Sequence, residues 1–227
     1  MQESEYEEVT VDFATADGSD FEVRITPPPG KRFANLTTPT TTEFRDVTGA
    51  LFDMKRVIEL CEEYLSAMEN NAARAVQDAL WMSAIILYAR CFNVGVRQRL
   101  DTTALDAVPG RPREVHQHFL DLRDKFLAHS VNIYEQTPVL AIIDLVNNDV
   151  ERIGTIHAWA NPMNEIGARH LLQLAQAFVV AGERQRSILD QQVGREALAL
   201  TSDEVGRLPD LQMMTPTVAR ASRRRKP

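Results

Sequence analysis

The sequence predicts a mainly α fold: an antiparallel bundle of four or more helices, with one β-hairpin inserted before the last long helix and a second hairpin at the N-terminus. Three patterns carry this expectation. Several long segments repeat apolar residues at alternating spacings of three and four, the mark of a helix with one buried face. One stretch, Leu80 to Phe92 (LWMSAIILYARCF), is apolar on nearly every side, as a helix in the middle of a bundle would be. Two short segments instead alternate with a period of two about turn-forming residues.

In chain order, Val9, Val11 and Phe13 alternate, as do Phe21, Val23 and Ile25, with Ala16-Asp17-Gly18-Ser19 between them as the turn. Pro27 to Gly30 end this first hairpin, and the Thr-rich segment 37–42 leads into the first helix. A two-stranded hairpin is marginal alone, so it needs the helices or a partner to dock on. Thr40 and Glu43 have the spacing of a capping box, followed by Val47, Leu51, Met54, Ile58, Cys61, Leu65 and Met68 on one face. Asn70-Asn71 breaks that helix and is placed to cap a second from about Ala72. Arg90 ends the apolar run of the second helix, and burying an unpaired guanidinium is costly. Asp121 and Asp124 on the third helix are the expected partners, which gives Arg90 a supporting, structural role.

Residues 93–111 read as a loop with about one helical turn. A third helix starts near Pro112, its stripe formed by Val115, Phe119, Leu122 and Phe126 and continued by His129. Segments 139–146 and 150–159 are strands about Asn147-Asn148-Asp149. A last long helix follows Pro162, with Ile166, His170, Leu174 and Phe178 on one face. It continues toward Leu198, with Gly194 as a place where it would fray, and one short helix is expected after it. The domain reading is therefore an N-terminal hairpin and linker over 1–42, a helical domain over 43–201 and an extension with a basic tail over 202–227.

At 227 residues, 44% hydrophobic and 25% charged, the chain has an ordinary globular composition and room for one substantial core. Its net charge of −7 and pI near 5.3 argue against an indiscriminate polyanion binder. Taking the five positive charges at Arg220, Arg223, Arg224, Arg225 and Lys226 from −7 leaves the body near −12. Segment 90–125 is the exception, with more Lys and Arg than Asp and Glu. Arg97, Arg99, Arg111, Arg113 and Lys125 there could form a rim facing phosphate, although a solvated surface is the commoner use of such charges. Cys61 and Cys91 sit among apolar residues with no CxxC spacing and read as buried thiols in a reducing cytoplasm. No apolar run long enough to span a bilayer is present, so no membrane association is expected and the protein is placed in the cytoplasm. There is no glycine-rich phosphate loop, GxSxG elbow or zinc-type cluster, so no cofactor or metal is expected. His116 and His118, two apart, face different sides of a helix, and His157 and His170 read as packing residues.

The stretch RDKFLAHS, from Arg123 to Ser130, is where chemistry concentrates. Arg123 lies about 120° round an α-helix from His129, so a neighbouring helix or a second subunit must close any groove they share. An arginine, five residues and a histidine near the end of the third long helix of an all-helical pattern resembles the signature of the HEPN superfamily. WMSAIILYARCF (81–92) and AHSVNIYEQ (128–136) are similar to a branch near the abortive-infection proteins. The resemblance covers residues 45–200 or so. It implies a helical bundle, a homodimer with paired third helices and cleavage of RNA without metal, of a toxin or phage-defence kind. It assigns Arg123 and His129 as the catalytic pair, with Ser130 as a further phosphate contact. Where the family often has asparagine after the arginine, this chain has Asp124, whose carboxylate is placed to pair with Arg123 or orient His129. The tyrosine that some relatives carry two residues after the histidine is displaced here to Tyr134, so regulation by modification at that site is not expected.

The side chains themselves allow the chemistry. Imidazole can transfer the proton of a ribose 2′ hydroxyl near neutral pH, and a permanently charged guanidinium can hold the phosphate. The alternative is a catalytically inactive nucleotide-binding or protein-interaction module in which His129 closes a helix and Arg123 makes an ordinary salt bridge.

Overall fold

The computed structural model describes residues 11–16, 20–25, 27, 29–93, 98–127, 135–159 and 161–211. The protein is mainly α, with a β-hairpin between the third helix and the last long one. By contacts it divides into two compact units, Arg45–Ile188 and the pair of segments Met1–Phe44 with Leu189–Pro227.

In the larger unit, helix α1 (Thr41–Glu69) buries Val47, Leu51, Met54 and Cys61 from the expected stripe, with Ile58, Leu65 and Met68 half-buried. Each large apolar side chain fully buried contributes about 1.5–3 kcal/mol. Tyr64 joins them and donates its hydroxyl to the Met163 carbonyl at 3.2 Å. Asn70 and Asn71 do break the helix, but they close α1 rather than open the next helix. Asn70 Nδ2 donates to the Ser66 carbonyl at 2.9 Å, and Asn71 adopts φ 50°, a left-handed conformation that asparagine tolerates. Helix α2 (Arg74–Arg90) starts after Ala73 with no side-chain cap. Trp81, Ala84, Ile85, Tyr88 and Ala89 form its buried face, while Ile86 remains exposed.

The following loop contains a 3-10 helix, Thr102–Ala107, capped by Asp101 and anchored by the buried Leu105. Helix α3 (Pro112–Asp121) has proline in its first turn, where the missing N–H is not needed. It runs into a π-helical turn, Leu122–Leu127. Phe119 and Leu122 are buried, Val115 and Phe126 half-buried, and the Phe126 ring lies 5.8 Å from that of Trp81.

Strands β1 (Val11–Ala16) and β2 (Asp20–Ile25) pair antiparallel, Val11 opposite Ile25 and Phe13 opposite Val23. The third helix's hairpin begins with β3 (Glu135–Gln136), which pairs with β6 (Ala158–Trp159) at its base. Beyond them β4 (Val139–Asp144) pairs with β5 (Asp149–Thr155). The Asp144 carboxylate accepts the backbone N–H groups of Val146 and Asn147, which hold it below the usual carboxylate range, and Asn148 takes φ 57° to turn the chain.

Helix α4 (Glu165–Leu198) runs without a break through Gly194. Its core face is Ala168, Leu171, Leu174, Ala175 and Phe178. The expected face was misphased at its start, since Ile166 and His170 are exposed. Gly182 permits a close approach: a Cβ there would meet Leu51 Cδ2 at 2.7 Å. Lys55 also pairs with Glu183 at 2.6 Å.

In the smaller unit, α5 (Ser202–Arg207) has a complete capping box between Thr201 and Glu204. Arg32 donates to the carbonyls of Val205 at 2.7 Å and Leu208 at 3.0 Å and to Asp210 Oδ1 at 2.9 Å. Backbone bonds from Asn35 N to Pro209 O and Leu211 N to Phe33 O extend that strap. Thr40 donates its hydroxyl to Glu196 Oε1 at 2.5 Å, a long-range partner that its local capping spacing does not reveal. No helix among the described residues is long and apolar enough to cross a membrane.

Candidate functional site

The π-helical turn falls on LRDKFL, the first part of the stretch that the sequence singles out. A π turn takes in one residue more than an α turn, closing i to i+5 hydrogen bonds. The α-helical phase used to relate Arg123 to His129 therefore does not hold through Leu127. The apolar anchors Leu122 and Phe126 set this turn against the core, which leaves Arg123, Asp124 and Lys125 toward solvent. Single π turns interrupting a helix are rare and concentrate at functional sites. His129, Ser130 and Arg97 lie outside the described residues.

Arg123 Nη1 donates to Asp124 Oδ1 at 2.6 Å, with 40% of the arginine side chain and 55% of the aspartate exposed. That is the pairing the sequence suggests for the unusual aspartate. An ion pair this exposed contributes only about 0–1 kcal/mol, so a better anion can displace it. Lys125 pairs with Asp121 at 2.8 Å, and Gln117 donates to the same carboxylate. Hydrogen bonding to Lys125, then to Gln117, holds Asp121 below its usual range.

Arg90 has a different partner from either expected. It grips Asp53 of α1, with Nε to Oδ2 at 2.7 Å and Nη2 on Oδ1. Asp121 is occupied by Lys125 and Asp124 by Arg123, whereas the Asp53 carboxylate is almost wholly buried beside the end of α2. The bidentate contact holds the Arg90 guanidinium even above its usual range.

The rest of the basic segment is interleaved with acid. Arg113 reaches Asp106 at 2.6 Å and Arg111 reaches Glu114 at 3.4 Å. These four side chains and Gly110, at φ 87°, line an open groove of about 420 Å³ at the start of α3. Arg99 is exposed and has no charged partner among the described residues. It is positioned by its neighbours, because Gln98 N donates to the buried Asp46 carboxylate at 3.0 Å and Leu100 N to the Cys91 carbonyl. Of the basic residues expected to face phosphate, Arg113 and Lys125 are thus locally neutralised, and Arg99 has no charged partner among the described residues.

The histidines differ in their settings. His116 is buried, its Nδ1 2.7 Å from the Tyr88 hydroxyl and its ring edge-on to Phe92 at 4.5 Å. Burial first, and Arg113 second, push its pKa down, while burial pushes the Tyr88 phenol up. Both shifts favour the neutral forms, a phenol hydrogen-bonded to a neutral imidazole. This pair was not singled out in the sequence; an apolar segment containing Tyr88 and a histidine one residue after the stripe position Val115 were its only signals. His157 is exposed, with Nδ1 2.9 Å from Thr137 Oγ1, and His170 lines a second groove of about 300 Å³ with Arg111 and Gln173. Among the described residues no three His, Cys, Asp or Glu side chains converge as metal ligands do.

Fold and site together define a mainly α protein with an exposed Arg–Asp pair on a π-helical turn. Compared with known proteins, the chain matches no family model, no curated protein and no solved structure.

Proposed function

We propose that the protein is a HEPN-like, metal-independent endoribonuclease of a toxin or phage-defence type, acting as a homodimer through Arg123 and His129. The observation that supports this reading is the setting of Arg123, half-exposed on a π-helical turn and held only by a weak surface pair to Asp124. An RNA phosphate would displace the Asp124 carboxylate and take the guanidinium's charged hydrogen bonds. The ribose 2′ oxygen would then attack phosphorus as His129 accepts its proton, with Arg123 stabilising the charge of the phosphorane. The 5′ oxygen leaves with a proton from the imidazolium of a second copy, and a 2′,3′-cyclic phosphate remains. Arg99 would contact flanking phosphate, while Ser130 would add a hydrogen bond at the site.

A second reading, a helical interaction module without catalysis, is favoured by the carboxylates that neutralise Arg90, Arg111, Arg113 and Lys125. The two are separated by incubating RNA in excess EDTA with wild type, Arg123→Ala, His129→Ala and Asp124→Asn, after light scattering confirms one oligomeric state. The nuclease reading expects cyclic phosphate ends from wild type, loss in the first two variants and retained or faster cleavage by Asp124→Asn. Intact RNA with folded wild-type dimer and with Asp124→Asn would refute it and leave the interaction module.

A further inference from the structure

The β4–β5 arm is built unlike a finished sheet. Val139, Ala141 and Ile143 of β4 share a face with Val150 and Ile153 of β5, since the register sets Ala141 opposite Ile153 and Ile143 opposite Val150. That face points to solvent, Val139 being 72% and Ile153 71% exposed. Leu145 and Val146 at the turn are more than 90% exposed. A lone two-stranded ribbon with such a face is marginal in water.

Its two edges are not equivalent. The β5 edge carries Asp149, Glu151 and Arg152, and the register shifts opposite Ile142 and Ile143, leaving Glu151 as the extra residue of a bulge. Charges and a bulge are how proteins blunt an edge against pairing. The β4 edge has neither: Val139 to Ile143 is an uninterrupted apolar run, and among the described residues β5 is its only neighbour. Among the described residues, one edge is protected and the other is left open.

We propose that the open β4 edge pairs with β4 of a second copy of this chain, joining two arms into a four-stranded antiparallel sheet. A two-fold axis between strands requires a residue to face its own copy, and Ala141 is the fitting centre. Val139 then lies opposite Ile143, Leu140 opposite Ile142, and the small Ala141 opposite itself, so that apolar meets apolar at all five positions. Asp144 falls beyond the pairing, opposite Pro138, and no like charges meet. Between Glu135 and Trp159 the acids Asp144, Asp149 and Glu151 outweigh the single cation Arg152, which disfavours an anionic lipid surface or nucleic acid as occupant.

This inference does not depend on the ribonuclease reading, and its test uses no RNA. Opposed residues of an antiparallel pair have Cα atoms about 4.5–5.5 Å apart, within disulfide range. Ala141→Cys in the full chain should therefore cross-link to a covalent dimer under mild oxidation with oxidised glutathione. Val146→Cys should not, because its copies would lie roughly 33 Å apart along the strands. The native Cys61 and Cys91 are buried and do not compete. Ala141→Lys, which sets two ammonium groups face to face, should weaken dimerisation at least tenfold by sedimentation, with helical circular dichroism unchanged. A monomeric wild type, or a dimer indifferent to Ala141→Lys and not cross-linked at position 141, would overturn the proposal. Pairing of β4 with a different protein would show as a wild-type monomer and count against it equally.

Discussion

Cutting the Arg90–Asp53 pair from one side or the other should have unequal effects on stability. The Asp53 side chain is 3% exposed, whereas that of Arg90 is 49% exposed. Asp53→Asn leaves a guanidinium that can swing into water, and the neutral amide can still accept a hydrogen bond. The expected loss is about 1–2 kcal/mol, the excess of a charge-assisted hydrogen bond over a neutral one. Arg90→Met keeps the apolar stem but takes the guanidinium away from the buried carboxylate, which costs about 3–5 kcal/mol. In a chain of this size that lowers the melting temperature by roughly 6–20 °C, against 2–8 °C for Asp53→Asn. The double variant Arg90→Met with Asp53→Leu removes the buried charge as well and should be more stable than Arg90→Met alone. Urea unfolding followed by circular dichroism at 222 nm measures all three. Equal losses from the two single variants, or a double variant less stable than Arg90→Met, would refute the claim that burial of Asp53 sets the asymmetry.

The His116–Tyr88 pair makes the core acid-sensitive. His116 has a folded pKa below its unfolded value, so the unfolded chain binds the extra proton and stability falls as pH drops below about 6.5. Tyr88→Phe, which leaves Nδ1 without its hydrogen-bond partner, should cost about 1–3 kcal/mol at pH 7, and His116→Leu should flatten the acid dependence of urea midpoints. Burial, with a smaller contribution from Glu62, pushes the Cys61 thiol up to about 12, and Cys91 is also buried. Both should resist iodoacetamide at pH 8 in the native protein and react once urea unfolds it; rapid native alkylation, read by mass spectrometry, would contradict their placement.

What the sequence could disclose was local. The stripe from Val47 to Met68 and the hairpin turn at Asn147-Asn148-Asp149 were legible because periodicity and left-handed asparagine act over a few residues. The π turn was not, since 4-3-4 spacing through Leu122 and Phe126 also fits an α-helix and nothing in LRDKFL marks an added residue. The exposed start of α4 was misread for a related reason: Ile166 and His170 fit the helical period, but neighbouring helices cover the face of Ala168 and Leu171. Asp53 as partner of Arg90, and Glu196 as partner of Thr40, depend on which distant segments meet. At the candidate site, Arg123 with Asp124 was readable because the residues are adjacent. The neutralisation of Arg113 by Asp106, seven positions away across a loop, was not.

The strap between Arg32 and the segment around α5 sets an order of events during synthesis. Its hydrogen bonds join residues 173 to 178 positions apart, so Arg32 leaves the ribosome long before Val205, Leu208 and Asp210 exist. At about 5–20 residues per second, translation separates the two by roughly 10–35 s, and Val205 follows Ile188, the last residue of the larger unit, by about 1–3 s, time for a domain that folds at about 1 per second or faster. The early segment around Arg32 must wait through that interval for its late partners. A released chain truncated before Val205 should therefore be cut by protease near Arg32 while the residues of Arg45–Ile188 are already resistant.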